Sequence, residues 1–257
     1  MATFYTPSIV SDSLLLCLDA GNTKSYPETG ATWTDISRNG RNPNLTAFSP
    51  ATYSFEASSR SLKFTRSMPP ASKAGAYAEL TTSGNLAAST YLYNNHTTEV
   101  WARINNANPT NYDATENQSA LLMFRGYHAM FYYSATNLTY DIWNGTLNTI
   151  SAPGASIGLS NANIIVGTWF YAAAVKSGNT FTTYINGVSI GTNSFTTPNS
   201  ANILTGNTLR VAIANNNGAP YAWYADCNVS TVRMYNRALA ATEILQNFNA
   251  TKGRYGL

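Results

Sequence analysis

TWFYAAAVKSGNTFTTYINGVSIGTN, residues 168–193, decides the architecture. An apolar run from Trp169 to Val175 breaks at Ser177-Gly178-Asn179, resumes from Phe181 to Ile185, breaks again at Asn186-Gly187 and resumes at Val188. Gly and Asn tolerate positive φ, and an Asn-Gly pair supplies two such residues in succession, as a tight hairpin turn requires. The stretch therefore predicts three antiparallel strands in a meander from about 169 to 192.

The same pattern recurs on both sides. SLKFTRS (61–67) alternates Leu62 and Phe64 with Lys63 and Thr65, as a half-buried strand does, and TEVWARI (98–104) sets Val100, Ala102 and Ile104 against Glu99, Trp101 and Arg103. Either face of that strand can carry Trp101. LLMFRGYHAMFYYS (121–134) reads as a hairpin about Gly126; Leu14–Leu18 is a buried first strand; LRVAIAN (209–215) and NVSTVRMYN (228–236) are two more, joined by the loop NNNGAPYAWYAD. Strands punctuated by turns throughout the chain predict an all-β protein, two antiparallel sheets packed face to face. One segment departs from this. In RALAATEILQNFNA (237–250), Leu239, Ile244, Leu245 and Phe248 recur near helical spacing, with Thr242, Glu243, Gln246 and Asn247 expected in water. A short C-terminal helix capping the sandwich follows, and KGRYG reads as its stop.

Composition restricts the function. The 257 residues are 44% apolar and only 11% charged, with net charge +3, which is too small and scattered for a nucleic-acid surface. The thirty Asn outnumber all Asp, Glu, Lys and Arg together, so the polar surface is one of amides and hydroxyls. MATFYTPSIVSDSLLLCLDAG lacks a basic segment followed by a long apolar one, and LLLCL is too short to span a bilayer, so neither a secretion leader nor membrane insertion is expected. Cys17 and Cys227 have no CxxC or His partner; buried free thiols are the favoured reading, with a disulfide open if the first and last strands are neighbours.

Catalysis finds little support. Hydrolysis of a glycoside requires two carboxyl groups on one face, whereas the twelve acidic residues are dispersed, and His96 and His128 belong to no triad or zinc spacing. The loop NPTNYDATENQS offers Asp113 and Glu116 as weak ligands for calcium, against the plainer reading of a solvated loop; no other cofactor is expected. Aromatic rings beside amides suit sugars better, because a ring stacks on the C–H face of a pyranose while amides meet its hydroxyls. Two segments qualify: Asn216, Asn217, Tyr221, Trp223 and Asp226, with Asn215 beside them, and Trp143 and Asn144 in YDIWNG. Packing of both tryptophans within the sandwich or against another protein is the competing reading.

SLLLCLDAGNTKSYPETGATWTDIS (13–37), the Tyr184-Ile185-Asn186-Gly187 hairpin and TVRMYNRALAATEILQNFNATKGRYGL (231–257) together resemble a concanavalin A-like, laminin G-type jelly roll of the kind found in tailed-phage virion proteins. The resemblance runs from about residue 13 to the end. It implies an N-terminal arm (1–12), a jelly-roll domain (13–250) and a C-terminal tail (251–257), with first and last strands side by side, the helix over an end of the sandwich, and Cys17 near Cys227. Many members carry an acidic pair before the Val-Arg-Met-Tyr-Asn block; Ser230 and Thr231 stand there instead, which removes any cation contact those carboxylates provide. The expected function is a non-enzymatic virion structural protein, a capsid decoration or tail appendage, docking on major capsid or tail proteins in many copies or as a homo-oligomer. Phe4, Tyr5, Arg254 and Tyr255 are its docking candidates, in ends that are otherwise free, and host-surface glycans are the second class of partner. A stand-alone lectin is the alternative, and a glycoside hydrolase the less favoured one.

Overall fold

Two large antiparallel sheets face each other in the computed structural model, which describes residues 8–67, 74–81, 91, 94–106, 119–124, 130–133, 137–141, 157–160, 166–194, 208–215 and 222–257. In the first sheet the strands run in the order β14 (Val188–Ser194), β13 (Thr180–Ile185), β12 (Trp169–Ser177), β7 (His96–Ile104), β18 (Cys227–Tyr235), β4 (Ser61–Phe64) and β3 (Tyr53–Glu56), and β1 (Leu14–Asp19) also pairs with β18. The second sheet runs β11 (Ile157–Ser160), β10 (Asn137–Asp141), β9 (Met130–Tyr133), β8 (Ser119–Phe124), β15 (Thr208–Val211), β6 (Ala74–Thr81) and β2 (Asn44–Ala47), with β5 (Arg66–Ser67) on β6. β16 (Ile213–Asn215) and β17 (Ala222–Tyr224) form a small ribbon of their own.

The meander is β12–β13–β14, and its second turn has the backbone angles that its Asn-Gly pair favours, φ +50° at Asn186 and +80° at Gly187. β18 organises the first sheet. One of its edges pairs with β7 from Cys227 to Tyr235, while the other is shared by β4 along Cys227–Val229 and by β1 along Thr231–Tyr235. The first and last strands are thus neighbours, as the resemblance implied. The cysteines nevertheless stay apart: Cys17 lies opposite Arg233, whereas Cys227 lies opposite Phe64, six positions earlier on β18, roughly 20 Å at strand rise. Both are buried free thiols.

The core between the sheets takes alternate residues of most strands: Leu16 and Leu18, Leu62 and Phe64, Val100 and Ala102 and Phe170 from the first sheet, with Ala76, Ala78, Leu121 and Leu209 from the second; on β18 a register shift between Val229 and Thr231 sets Val229 and Val232 inward together. A second apolar cluster lies on the outer face of the first sheet, built from Trp101, Tyr171, Ala173 and Tyr235 and from the C-terminal helix α1 (Ala241–Thr251). The helix therefore covers a face of the sandwich instead of an end. Its buried side also differs from the expected one, since Ile244, Asn247 and Phe248 face the sheet while Leu245 is 43% exposed. At 100° per residue, positions 244, 247 and 248 share one side and 245 turns off it. The chain then continues as a 3-10 turn, Lys252–Tyr255, which is capped at Gly256 with φ +75°. No described helix is long and apolar enough to cross a membrane.

Candidate binding faces

The outer face of the first sheet is closed by a polar lock within an aromatic cluster. Glu99 of β7 and Arg233 of β18 stand opposite each other in register, and each is about 1–2% exposed, Nη1 to Oε2 3.4 Å. Asn247 of α1 donates from Nδ2 to Glu99 Oε1 at 2.7 Å and to the Tyr235 hydroxyl at 3.1 Å. Its Oδ1 accepts the Val10 amide at 2.7 Å, and the Tyr235 hydroxyl donates to the Val10 carbonyl at 3.1 Å. Burial pushes the Glu99 carboxyl upward while Arg233 and Asn247 pull it back. One side chain thus ties the helix to the sheet and to the segment before β1.

The tail completes the cover. Tyr255 stacks on Trp101, ring centres 4.0 Å apart, and leans on Trp169 at 4.8 Å; Arg254 makes a bidentate pair with Asp19 at 2.6 and 3.0 Å. Both docking candidates of the tail therefore have partners within their own chain. Beyond this cover the face ends in a hydrogen-bonded group in which Asn228 donates to Glu56 and Ser61, Arg103 donates to Glu56 and Asn228, and Asn105 bridges Asn228 to Asp226 at 2.9 and 3.3 Å.

The outer face of the second sheet is built differently. Along β6, Ala76, Ala78 and Leu80 point into the core, so Gly75, Tyr77 and Glu79 share the outer side. Tyr224 of β17 lies flat on Gly75: a Cβ there would stand 1.9 Å from its Cδ1. Glycine at 75 thus makes room for the ring. The Arg210 Nε donates to Glu79 directly across the β15–β6 pair. Half-exposed Phe48 packs against Tyr77 at 6.1 Å, and Thr46 stands opposite Tyr77 in register. Burial raises the Tyr77 hydroxyl, with the Glu79 carboxylate adding to the effect. Phe48 and Tyr77 keep exposed ring surface beside the Glu79–Arg210 pair, while Tyr224, 8% exposed, is packed beneath them on Gly75; the exposed rings can stack on a sugar, and the ion pair can donate and accept hydrogen bonds beside them.

The segment singled out as a glycan candidate belongs to this side. Its far end is not loop but β17, which pairs antiparallel with β16, Trp223 opposite Ala214; β16 falls within the strand read at 209–215, whereas the three residues of β17 were too short to read as strand. Asp226 lies beyond the hairpin and binds Asn105 on the other sheet, so it is separated from the group. Asn216, Asn217, Tyr221, Trp143, Asn144, Phe4, Tyr5, Asp113 and Glu116 lie outside the described residues. Among the described residues no group of three His, Cys, Asp or Glu side chains could hold a metal ion. Phe48, Gly75, Tyr77, Glu79, Arg210 and Tyr224 were missed; the alternation of Tyr77 and Glu79 with alanines was the available signal.

A laminin G-type family model, described as the concanavalin A-like lectin/glucanases superfamily, matches residues 71–245. The chain belongs to this superfamily. No curated protein sequence matches this superfamily member. Solved structures share its fold: the binding domain of botulinum neurotoxin DC in complex with rat synaptotagmin II superposes with TM-score 0.65 at 14% identity, over 94% of this chain and 52% of that one. The same domain in complex with SialylT gives 0.65 and 15% over 93% and 52%. A structure of botulinum neurotoxin type C, whose cell entry is described as dependent on two ganglioside molecules, gives 0.64 and 15% over 94% and 52%. This laminin G-type chain spans about half the length of those structures, and at such identity the likeness concerns the fold. At the departure from the family pattern, Ser230 donates to the Arg60 carbonyl at 3.0 Å and Thr231 is buried opposite Asp19.

Proposed function

We propose that this protein is a non-catalytic binding module of a tailed-phage particle, present in many copies, docked on other virion proteins and holding host-surface glycans through the outer face of its second sheet. The observation that carries the reading is the exposed pair Phe48 and Tyr77 beside the Glu79–Arg210 ion pair, with Tyr224 packed beneath them. The superfamily is one of lectins and glucanases, and the engagement of seven acidic side chains among the described residues favours the former. Glu56, Glu79, Glu99, Glu243, Asp12 and Asp19 each pair with an arginine, and Asp35 accepts four hydrogen bonds in the loop after β1. Glycoside hydrolysis needs a protonated acid and a second carboxylate about 5–10 Å apart across the bond, an arrangement these pairings oppose. The virion setting rests on the motif resemblance at the two ends of the chain. Individual sugar sites are weak, and repeated copies on a particle would supply avidity.

Two measurements test the reading. Mass spectrometry of purified particles should find the chain in stoichiometric amount. A glycan array should give binding by the intact protein that is lost in Tyr77→Ala and weakened in Arg210→Ala. Absence from particles rejects the virion setting, absence of glycan binding rejects the lectin role, and reducing ends released from polysaccharide would establish the hydrolase instead.

A further inference from the structure

Beyond the cover of α1 and the tail, the outer face of the first sheet carries a row of residues aligned across five strands. Ser54 of β3 lies opposite Lys63 of β4, Lys63 opposite Asn228 of β18, Asn228 opposite Arg103 of β7, and Arg103 opposite Trp169 of β12. Four strand spacings make the row about 19 Å long. Along these strands Phe55, Leu62, Phe64, Ala102 and Phe170 pack toward the core, so the row faces outward. Asn228 is fully buried at its centre. Its Nδ2 donates to Glu56 Oε2 at 2.7 Å and to Ser61 Oγ at 2.8 Å, and its Oδ1 accepts from Arg103 Nη2 at 3.1 Å and from Asn105 Nδ2 at 2.9 Å, which fills its hydrogen-bonding capacity. Glu56 Oε2 also accepts from Arg103 Nη2 at 2.7 Å and from Ser59 Oγ at 2.8 Å, whereas Oε1 has no partner among the described residues and the side chain is 31% exposed. The Arg103 guanidinium lies over the Trp169 ring, 5.6 Å from its centre, and its Nη1 makes no hydrogen bond among the described residues. The half-buried Lys63 beside them likewise makes none.

We infer that this row binds a neutral oligosaccharide laid across the strands, at a site separate from the second-sheet face. Three donors converge on one oxygen of Glu56 and hold the carboxylate in place, which leaves the other oxygen to accept from a ligand. Free donors on Arg103 and Lys63 stand beside it. A sugar hydroxyl both donates and accepts, so neighbouring hydroxyls can meet the carboxylate and the guanidinium together. Glu56 and Asp226, the latter joined to the group through Asn105 at 3.3 Å, balance Lys63 and Arg103, so the group has no net charge with which to prefer an acidic or a cationic ligand. The row also lacks an exposed aliphatic side chain of the kind that anchors a protein partner. Its length suits several sugar units better than one. The site lies on the opposite sheet from Phe48 and Tyr77, and its outcome does not depend on the reading of that face.

A single flat site holds sugars weakly, so it is read in solution, where a washed array would miss it. The test is titration calorimetry of the whole protein carrying Tyr77→Ala, which disables the second-sheet face, with maltohexaose and cellohexaose as neutral probes and oligogalacturonate as the acidic one. Saturable binding of at least one neutral probe is expected, with oligogalacturonate binding no more tightly. Adding Lys63→Ala, which breaks no contact in the network, should weaken the neutral probe roughly 3-fold to 10-fold at unchanged melting temperature. Adding Glu56→Gln should weaken it by a similar or larger factor. A network that only fastens β3 and β4 to β7 would show the Glu56→Gln effect in thermal melts and bind no sugar. No saturable binding of either neutral probe, tighter binding of the acidic one, or affinity unchanged in Lys63→Ala or in Glu56→Gln overturns the site. Binding by the wild type that disappears in Tyr77→Ala does so too, while leaving the second-sheet reading intact.

Discussion

Replacing Asn247 by alanine tests whether one buried amide fastens the C-terminal helix. Asn247 is fully buried, and the change removes its donation to the Glu99 carboxylate and its acceptance from the Val10 amide, both at 2.7 Å. A hydrogen bond to a charged group contributes about 1.5–3 kcal/mol, and a buried amide left without a partner costs about 1–3 kcal/mol. Alanine is the better helix former by about half a kcal/mol, a small offset. The sum is a loss of about 3–5 kcal/mol, to be read from urea unfolding at pH 7. Amide exchange supplies an independent check, because Val10 should lose its protection when its acceptor is gone. Asn247→Asp keeps the volume but sets a second carboxyl against Glu99, so it should be destabilised at neutral pH and approach the wild type as acid protonates one of the two. An alanine variant within about 1 kcal/mol of wild type, with Val10 exchange unchanged, would refute the lock.

His96 at the start of β7 is fully buried between Tyr91 and Phe181, and burial, with Lys176 adding to the effect, pushes its imidazole down to about 3. Between pH 6.5 and about 3 the unfolded chain takes up a proton that the native one refuses, so stability contributed by this site falls with acidification by up to about 1.4 kcal/mol per pH unit; unfolding midpoints of wild type and His96→Gln across that window should diverge accordingly, and parallel curves would reject it. Burial raises both the Cys17 and Cys227 thiols, so alkylation should require denaturant and a reducing agent should leave the melting temperature unchanged. Gly75→Ala should drive Tyr224 off β6 at a cost of about 1–3 kcal/mol and impair glycan binding together with stability, as thermal melts and the array would report. At Gly187, φ +80° and a Cβ position 3.0 Å from Leu245 predict that alanine loses at least about 1 kcal/mol in the same melts.

The features legible from sequence are those with a local physical cause. The meander followed from Asn186-Gly187 because turn chemistry acts on neighbours, and the closure of β1 on β18 came from recognising the two end motifs. Their buried residues explain why those motifs recur together: Trp33 is fully enclosed, Asp35 fastens the loop to β1 through the Cys17 amide, and Asp19 receives Arg254 from the far end of the chain. β6 escaped notice because AGAYAELT fills the core with Ala76 and Ala78, side chains too small to give a strong hydrophobic signal. Asn247 was assigned to water by its polarity, whereas the buried Glu99 opposite it determines its place, and a partner 148 residues away leaves no trace in a helical period. The second-sheet group was invisible for the same reason: Phe48, Tyr77, Arg210 and Tyr224 meet only through strand register and through the room left at Gly75.

Closing one face of a sandwich with a helix changes what the aromatic residues can do. Trp101 and Tyr171 each lie fully buried beneath α1, and with Tyr235 and Tyr255 they form an additional core layer. Abundant aromatic residues are therefore no measure of binding surface in this chain. The second sheet bears no such helix among the described residues, and its outer rings keep contact with solvent at Phe48 and Tyr77. The pairing of Glu79 with Arg210 matters on that face for a further reason. A lone carboxylate on an open aromatic surface would repel the acidic sugars of many cell surfaces, whereas a neutralised pair can accept through one member and donate through the other. If that face holds glycans as proposed, selectivity between neutral and acidic ones depends on which member the ligand displaces. Removing Arg210 alone should shift array binding away from acidic sugars more than from neutral ones, while an equal loss for both classes would assign the pair to holding the β15–β6 register.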